Sequence, residues 1–176
     1  RNAFHLPSVW GNLGGDRYQA GHLDLAERVF RRGPRFNPVE LRLYSGWVQT
    51  LLDLGRLEEA RGEIRNLSKI FPGHDAVFWL ELQLAEREGD TQTLEALEGR
   101  LGKRKILKPE LMGWLAGRWT ASGRHEEAGR LLDRHLDYFH AYPRFWIARG
   151  DHARACGDSG EAERNYRRAR ELERGP

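Results

Sequence analysis

Five glycines recur along this chain at intervals of 34 residues, and this spacing limits the possible folds more than any other feature. They are Gly21, Gly55, Gly89, Gly123 and Gly157. Two adjacent positions, 12 and 11 residues before each glycine, are apolar in all five units. A period of this length is typical of helical repeat proteins, in which each repeat is one helix–turn–helix unit. Because a single hairpin of two helices cannot bury its apolar face alone, such units stack on their neighbours.

The residues around these glycines resemble the tetratricopeptide repeat (TPR). The first unit shows the resemblance best, with Trp10, Leu13, Gly14, Gly21, Ala26, Phe30 and Pro38. The resemblance covers nearly the whole chain and implies an all-α fold, a right-handed α-solenoid of about five helix–turn–helix hairpins. We predict a single array over residues 1–176, divided into repeats at about 7–40, 41–74, 75–108, 109–142 and 143–176.

Small residues are expected to let the two helices of a hairpin approach closely. In this interpretation Gly14 faces Ala26 in the first unit, and Gly150 faces Ala162 in the fifth. Pro38 stands where the second helix of the first unit is expected to have ended, since proline cannot continue a helix.

The third repeat departs from the pattern and is predicted to be degenerate. Glu98 stands where a large apolar residue is expected, and apolar residues fall instead at Leu94, Leu97 and Leu101. We therefore expect the second helix of this repeat to be displaced or rotated. A longer connection is expected over residues 102–109.

Composition excludes several classes of protein. Charged residues make up 31% of the chain, and the net charge is only +3 with the two signs interleaved, which argues against a dedicated nucleic-acid-binding surface. A single cysteine, Cys156, excludes an internal disulfide and a zinc site built from several cysteines. No apolar run approaches the ~18 residues of a membrane span. Since the chain begins with Arg1, we expect a fragment or a processed product, with the compartment (bacterial cytoplasm or periplasm) and the oligomeric state left open.

Residues that carry chemistry are sparse, and each has a structural interpretation. Cys156 is predicted at a helix C-terminus, where the partial negative charge disfavours a reactive thiolate. The tightest cluster of potential metal ligands contains Asp133, His135, Asp137 and His140. On a helix, His135 and His140 point roughly 140° apart and cannot chelate one ion. We expect His135 to fill a packing position, and we expect no catalytic residue, no metal site and no cofactor.

The resemblance to TPR proteins implies that the first helices line a concave groove that receives extended peptides or partner helices. The groove residues expected to contact a partner are Gln49, Leu52, Trp79, Gln83, Trp114 and Ile147. Hollows are expected beside Gly46, Gly113 and Gly117. Some members of the family clamp a C-terminal carboxylate with Lys, Asn and Arg, but those positions hold here Gly11, Gly15, Gly46, Ala76 and Leu80. A clamp of that kind is therefore not expected.

A short basic run is the second candidate contact surface. It consists of Arg100, Lys103, Arg104, Lys105 and Lys108, with no acidic residue between Gly99 and Pro109. Such a run can bind phosphate groups or an acidic partner, and the alternative is a solvated loop without a partner.

The pattern favours a non-catalytic protein–protein interaction scaffold in a larger bacterial assembly, with a partner peptide or helix in the concave groove. The alternative is a TPR targeting module of a larger enzyme, such as a glycosyl- or sulfotransferase, or of polysaccharide-export machinery, whose other domains lie outside this sequence. We expect another protein as the partner, no nucleic acid and no direct membrane span.

Overall fold

The computed structural model describes residues 7–32 and 40–174, and within these ranges the chain forms ten α-helices and no strand. The helices are α1 (Pro7–Gln19), α2 (Leu23–Phe30), α3 (Leu41–Asp53), α4 (Leu57–Ile70), α5 (Asp75–Glu88), α6 (Thr91–Gly102), α7 (Pro109–Ala121), α8 (His125–Phe139), α9 (Pro143–Ala155) and α10 (Ser159–Arg174). Helices with odd numbers are the first, and those with even numbers the second, of each predicted repeat. The prediction of an all-α fold is confirmed. Pro38, which was expected to follow the end of the second helix, lies outside the described residues. No described helix is both long enough and apolar enough to cross a membrane.

The five periodic glycines all lie in the short turns between the first and the second helix of a repeat. Their backbone φ angles fall between +66° and +85°. This left-handed conformation is accessible to glycine at little cost and is strained for other residues. The period in the sequence therefore reflects a requirement of the backbone at each turn.

The chain forms two compact units, residues 1–95 and residues 96–176, with the boundary inside α6. In the first unit, α1, α3 and α5 lie side by side, while α2 and α4 each contact the helices before and after them. The main core of this unit contains Val48, Leu51, Leu52, Ile64, Leu67, Val77 and Leu80, each at most 4% exposed. In the second unit, α7 contacts α8 and α9, and α9 contacts α10. Its core includes Leu111, Met112, Leu115, Leu132 and Phe145, each at most 1% exposed.

The second helix of the third repeat, α6, combines an apolar face with the carboxylate of Glu98. Leu94, Leu97 and Leu101 of α6 are buried, as the sequence pattern predicts. The carboxylate of Glu98 accepts hydrogen bonds from Trp119 Nε1 at 2.8 Å and from Arg118 Nε at 3.3 Å. A carboxylate at this position thus satisfies nearby donors that an apolar residue would leave unpaired.

The connection between α6 and α7, residues 103–108, is longer than those between α4 and α5 and between α8 and α9, residues 71–74 and 140–142, and it is attached to the core. Leu107 is 1% exposed, and its backbone N–H donates to Nε2 of His135 at 2.9 Å. His135 is fully buried, with Nδ1 2.8 Å from the carbonyl oxygen of Leu131. The ring therefore fills a packing position, as expected from the sequence, and it also fixes the end of this connection.

Aromatic rings are the nearest neighbours of the two small-residue positions. A Cβ atom added at Gly14 would lie 2.6 Å from Cε1 of Phe30, and one at Gly150 would lie 2.5 Å from Cε1 of Tyr166. The helices approach closely at both positions, and each ring lies one helical turn beyond Ala26 or Ala162 in the sequence.

Gly14→Ala is expected to lower the free energy of unfolding by about 1–3 kcal/mol, the usual cost of forcing an extra carbon into a well-packed core. Gly15 is the matched control, because no atom outside its own helix lies within 4 Å of an added Cβ there. Gly15→Ala is expected to stabilise the helix by about 0.5–1 kcal/mol. Urea unfolding of both variants measures the difference, and equal effects would contradict the contact between Gly14 and Phe30.

Candidate binding clefts

The first unit contains a cleft of about 340 Å³, which we call the first cleft. First helices α1, α3 and α5 form it, and small side chains leave its space open. Its lining includes Gly11, Gly15, Arg42, Gly46, Ala76 and Trp79. Gly11, Gly15, Gly46 and Ala76 are four of the five positions considered in the sequence for a carboxylate clamp. The space that a clamp would occupy is therefore available to an apolar side chain.

The floor of the first cleft contains the buried ring of Phe30 and the side chain of Leu80, which is 2% exposed. A Cβ atom at Gly46 would lie 2.8 Å from the Phe30 ring, so the hollow expected beside Gly46 is filled by that ring. No atom outside the helix lies within 4 Å of an added Cβ at Gly15. Space is consequently open beside Gly15, in the same cleft that the partly buried indole of Trp79 lines.

A polar network runs across the same helices. Gln49 and Gln83 donate to each other's side-chain oxygen, at 3.0 and 2.7 Å. Asp53 accepts from Gln49 at 3.3 Å and from Arg87 at 2.6 Å, and Tyr18 donates to it from α1. Burial, reinforced by the hydrogen bond to Asp53, raises the pKa of Tyr18 to about 12, so the phenol stays protonated. Gln49 and Gln83, expected as groove residues, thus stabilise the contact between α3 and α5.

Leu52 requires a correction. It is 1% exposed and belongs to the main core of the first unit. The sequence places it on a first helix, yet its side chain points into the core and offers no surface to a partner. The apolar contact surface of this unit is therefore smaller than expected and centres on Trp79.

The second unit contains a second cleft of about 410 Å³, formed by α7 and α9. Its apolar lining includes Gly113, Gly117, Ala148 and Ile147, and Ile147 is 38% exposed. Polar lining residues are Thr120, Arg144, Asp151 and His152. Trp114, the other expected aromatic contact, is half-buried but is not among the lining residues of this cleft. The guanidinium carbon of Arg118 lies 5.2 Å from the centroid of its ring.

The basic run extends from the end of α6 to the start of α7. Lys103, Lys105 and Lys108 are exposed, as is Arg100, whereas Arg104 is half-buried. Ile106, between the lysines, is 44% exposed. The segment therefore presents an apolar side chain among cationic ones.

One group of side chains was not predicted from the sequence. Among the residues that the structure describes, His125, His152 and Cys156 each place a potential ligand atom within 4.8 Å of the others. Burial, with a smaller contribution from His125, lowers the pKa of His152. The cluster considered from the sequence does not form such a group, since His135 is fully buried in the core and His140 is exposed. No sequence spacing within one helix signals His125, because it lies on α8, whereas His152 lies on α9 and Cys156 directly follows α9.

Comparison with known proteins identifies structural neighbours. No protein-family model and no curated protein matches the sequence. A thermophilic TPR protein of Thermus thermophilus is 20% identical, with a TM-score of 0.74 over 97% of this chain and 93% of its own. A tetratricopeptide repeat protein from Parabacteroides merdae is 15% identical, with a TM-score of 0.62 over 96% of this chain and 68% of its own. YrrB, described as a TPR protein with an unusual peptide-binding site, is 9% identical, with a TM-score of 0.54 over 98% of this chain and 89% of its own. At these identities the likeness shows the fold alone.

Proposed function

We propose that this chain, which has the fold of TPR proteins, is a non-catalytic scaffold whose first cleft binds an extended segment of a partner protein. One observation carries the proposal: the open space beside Gly15 and the indole of Trp79 belong to the same cleft, whose lining also includes the small residues Gly11, Gly46 and Ala76. An apolar side chain of the partner can enter this space and cover the indole. Buried aromatic side chains commonly supply much of the binding energy in protein interfaces.

The charges around the first cleft define the chemistry of the partner. Among the described residues, Arg42 is the only charged one in the lining; it is exposed, and its side chain donates to Asn12 Oδ1 at 3.2 Å. No carboxylate from the described ranges lines the cleft. We therefore expect a segment with an acidic residue next to its apolar anchor. The peptide-binding site described for YrrB is compatible with this role for the same fold.

The basic run offers a second surface, since Lys103, Lys105 and Lys108 surround the exposed Ile106. An acidic protein segment with an apolar residue fits this surface as well. It lies in the second unit, so variants of the two surfaces distinguish the two modes of binding.

Trp79→Ala is expected to weaken binding of a partner peptide about thirtyfold, since truncating an anchoring aromatic residue costs about 2 kcal/mol or more. The probe is a peptide selected on the purified chain from a display library of randomised sequences. Isothermal titration then compares the wild type with the variant. Trp114→Ala is the matched control, because Trp114 lines neither of the two clefts.

The control is expected to bind as the wild type does. Arg42→Glu is expected to weaken peptides that carry the acidic residue and to leave their alanine-substituted versions unaffected. If the selected peptides bind Trp79→Ala normally, the first cleft is not the binding site. If they instead lose binding on combined Lys103→Glu and Lys105→Glu substitution, the basic run is the contact surface.

A further inference from the structure

Three side chains with metal-binding atoms meet where the start of α8 approaches the end of α9. His125 is the first residue of α8, His152 lies in the last turn of α9, and Cys156 follows that helix as its C-cap. Because His152 and Cys156 are four residues apart on a helix, their side chains lie on the same face. The Sγ atom of Cys156 is 3.7 Å from Nε2 of His152. The centroids of the two imidazole rings are 6.3 Å apart.

The hydrogen bond between His152 and Thr120 leaves one ring nitrogen available for a metal. Nδ1 of His152 lies 3.0 Å from the hydroxyl oxygen of Thr120, which is able to accept the Nδ1 proton. Sγ of Cys156 lies at similar distances from both ring nitrogens, 3.9 Å from Nδ1 and 3.7 Å from Nε2. With Nδ1 bonded to Thr120, Nε2 is the nitrogen that remains to bind an ion. A hydrogen bond of this kind, made by the ring nitrogen that does not bind metal, is the usual support of a histidine ligand.

Two features leave nitrogen atoms of His125 and His152 available for a further partner. Nδ1 of His125 is buried and has no hydrogen-bond partner among the described residues, although buried polar atoms are almost always paired. A Cβ atom added at Gly129, one turn after His125 on α8, would lie 3.4 Å from Nε2 of His152. The absence of a side chain at Gly129 thus keeps the approach to Nε2 free.

We propose that His125, His152 and Cys156 bind one zinc ion, with the fourth coordination position open to water. Two imidazole nitrogens and one thiolate are ligands that zinc prefers, and tetrahedral zinc with three protein ligands commonly keeps one open position. Zn–N bonds of about 2.0–2.1 Å and Zn–S bonds of about 2.3 Å place tetrahedral ligand atoms roughly 3.3–3.6 Å apart. The ligand atoms lie within 4.8 Å of one another, and side-chain movements of about 1 Å bring them to the separation that tetrahedral zinc requires.

Zinc binding at this site is a simple exchange. The Cys156 thiol releases its proton to water as the Zn–S bond forms, and neither zinc nor sulfur changes oxidation state. The ion would link α8 to the end of α9. His152 also lines the second cleft, so the site would hold one wall of that cleft in place.

The experiment uses the full chain without an affinity tag, kept reduced with a phosphine. Zinc is titrated in competition with a chromophoric chelator, and cobalt(II) serves as the spectroscopic substitute. We expect one ion per chain and a near-ultraviolet thiolate-to-cobalt charge-transfer band. Cys156→Ser is expected to remove this band and to lower the zinc affinity at least about tenfold. His152→Ala is also expected to lower the zinc affinity. Because Cys156 is exposed, its variant is expected to fold.

Thr120 provides a test of the hydrogen bond that orients His152. Thr120→Val is expected to lower zinc affinity about 10–100-fold, whereas Thr120→Ser restores the hydroxyl and is expected to bind as the wild type does. His140→Ala is the control, since His140 is exposed and outside the cluster. Zinc uptake below one ion per chain would overturn the proposal. The same conclusion follows if Cys156→Ser and His152→Ala bind zinc as well as the wild type, or if His140→Ala loses as much affinity as they do.

Discussion

Replacing Trp119 by alanine is expected to lower the free energy of unfolding by about 3–5 kcal/mol, the range observed for truncating a buried tryptophan. Trp119 is 7% exposed, its indole N–H donates to Glu98 at 2.8 Å, and the guanidinium carbon of Arg124 lies 4.7 Å from the ring centroid. Truncation leaves a cavity and removes a donor from the Glu98 carboxylate. Urea unfolding followed by circular dichroism measures the loss.

Two further variants separate packing from hydrogen bonding in this prediction. Trp119→Phe keeps most of the ring volume but lacks the N–H, so an intermediate loss is expected. Trp114→Ala is the control for removing a tryptophan that is only half-buried, and its loss is expected to be clearly smaller. If the losses for Trp114→Ala and Trp119→Ala are equal, the assignment of Trp119 to the core and of Trp114 to a more exposed site is wrong.

The 34-residue period predicted those features that recur at equivalent backbone positions in each repeat. The glycines at the turns follow from the left-handed conformation that each turn requires. The small residues that line both clefts also follow from the period, because equivalent positions on successive first helices lie side by side. Gly117, beside which a hollow was expected, illustrates this agreement, since no atom outside its helix lies within 4 Å of an added Cβ there.

Features that depend on how large side chains pack could not be predicted in this way. Trp10, Met112 and Trp146 each stand 11 residues before a periodic glycine, yet Met112 is fully buried whereas both tryptophans are only partly buried. Leu52 is buried although its helix position suggested a surface role. Phe30 fills a hollow that the glycine pattern alone made appear open. In each case the decisive fact is the direction of a side chain relative to a neighbouring helix, which a period in one chain does not specify.

The cluster of His125, His152 and Cys156 shows the same limit for chemistry. Spacing within one helix excluded a pair such as His135 and His140 from binding one ion. It carried no information on ligands from two different helices, whose distance is set by the packing of α8 against α9. The expectation of no metal site therefore rested on local spacing alone, and the proposed zinc titration tests it directly.

His135→Leu is expected to lower the free energy of unfolding by about 1–3 kcal/mol, even though leucine has a similar volume. The substitution leaves the Leu107 N–H without its partner at a fully buried position, and an unpaired buried group costs about 1–3 kcal/mol. The Leu131 carbonyl, inside α8, keeps its backbone hydrogen bond to residue 135. Hydrogen exchange is expected to show faster exchange of the Leu107 amide in the variant. His140→Leu is the control, since the exposed His140 ring contacts only a nearby carbonyl in the described structure.

The pH dependence of stability distinguishes this role of His135 from simple packing. Nε2 accepts the Leu107 N–H, so the ring is neutral in the folded chain, and burial lowers its pKa, with Arg134 adding to the effect. A group whose pKa is lowered by folding binds its proton more readily in the unfolded chain. Stability is therefore expected to be complete above about pH 6.5, the ordinary histidine pKa, and to fall as the pH is lowered from there through the folded pKa of His135. His152, whose pKa is also lowered, contributes in the same direction in wild type and variant alike. His135→Leu is accordingly expected to show a shallower loss of stability with acidification than His140→Leu, and parallel curves would contradict the hydrogen bond from Leu107 to a neutral ring.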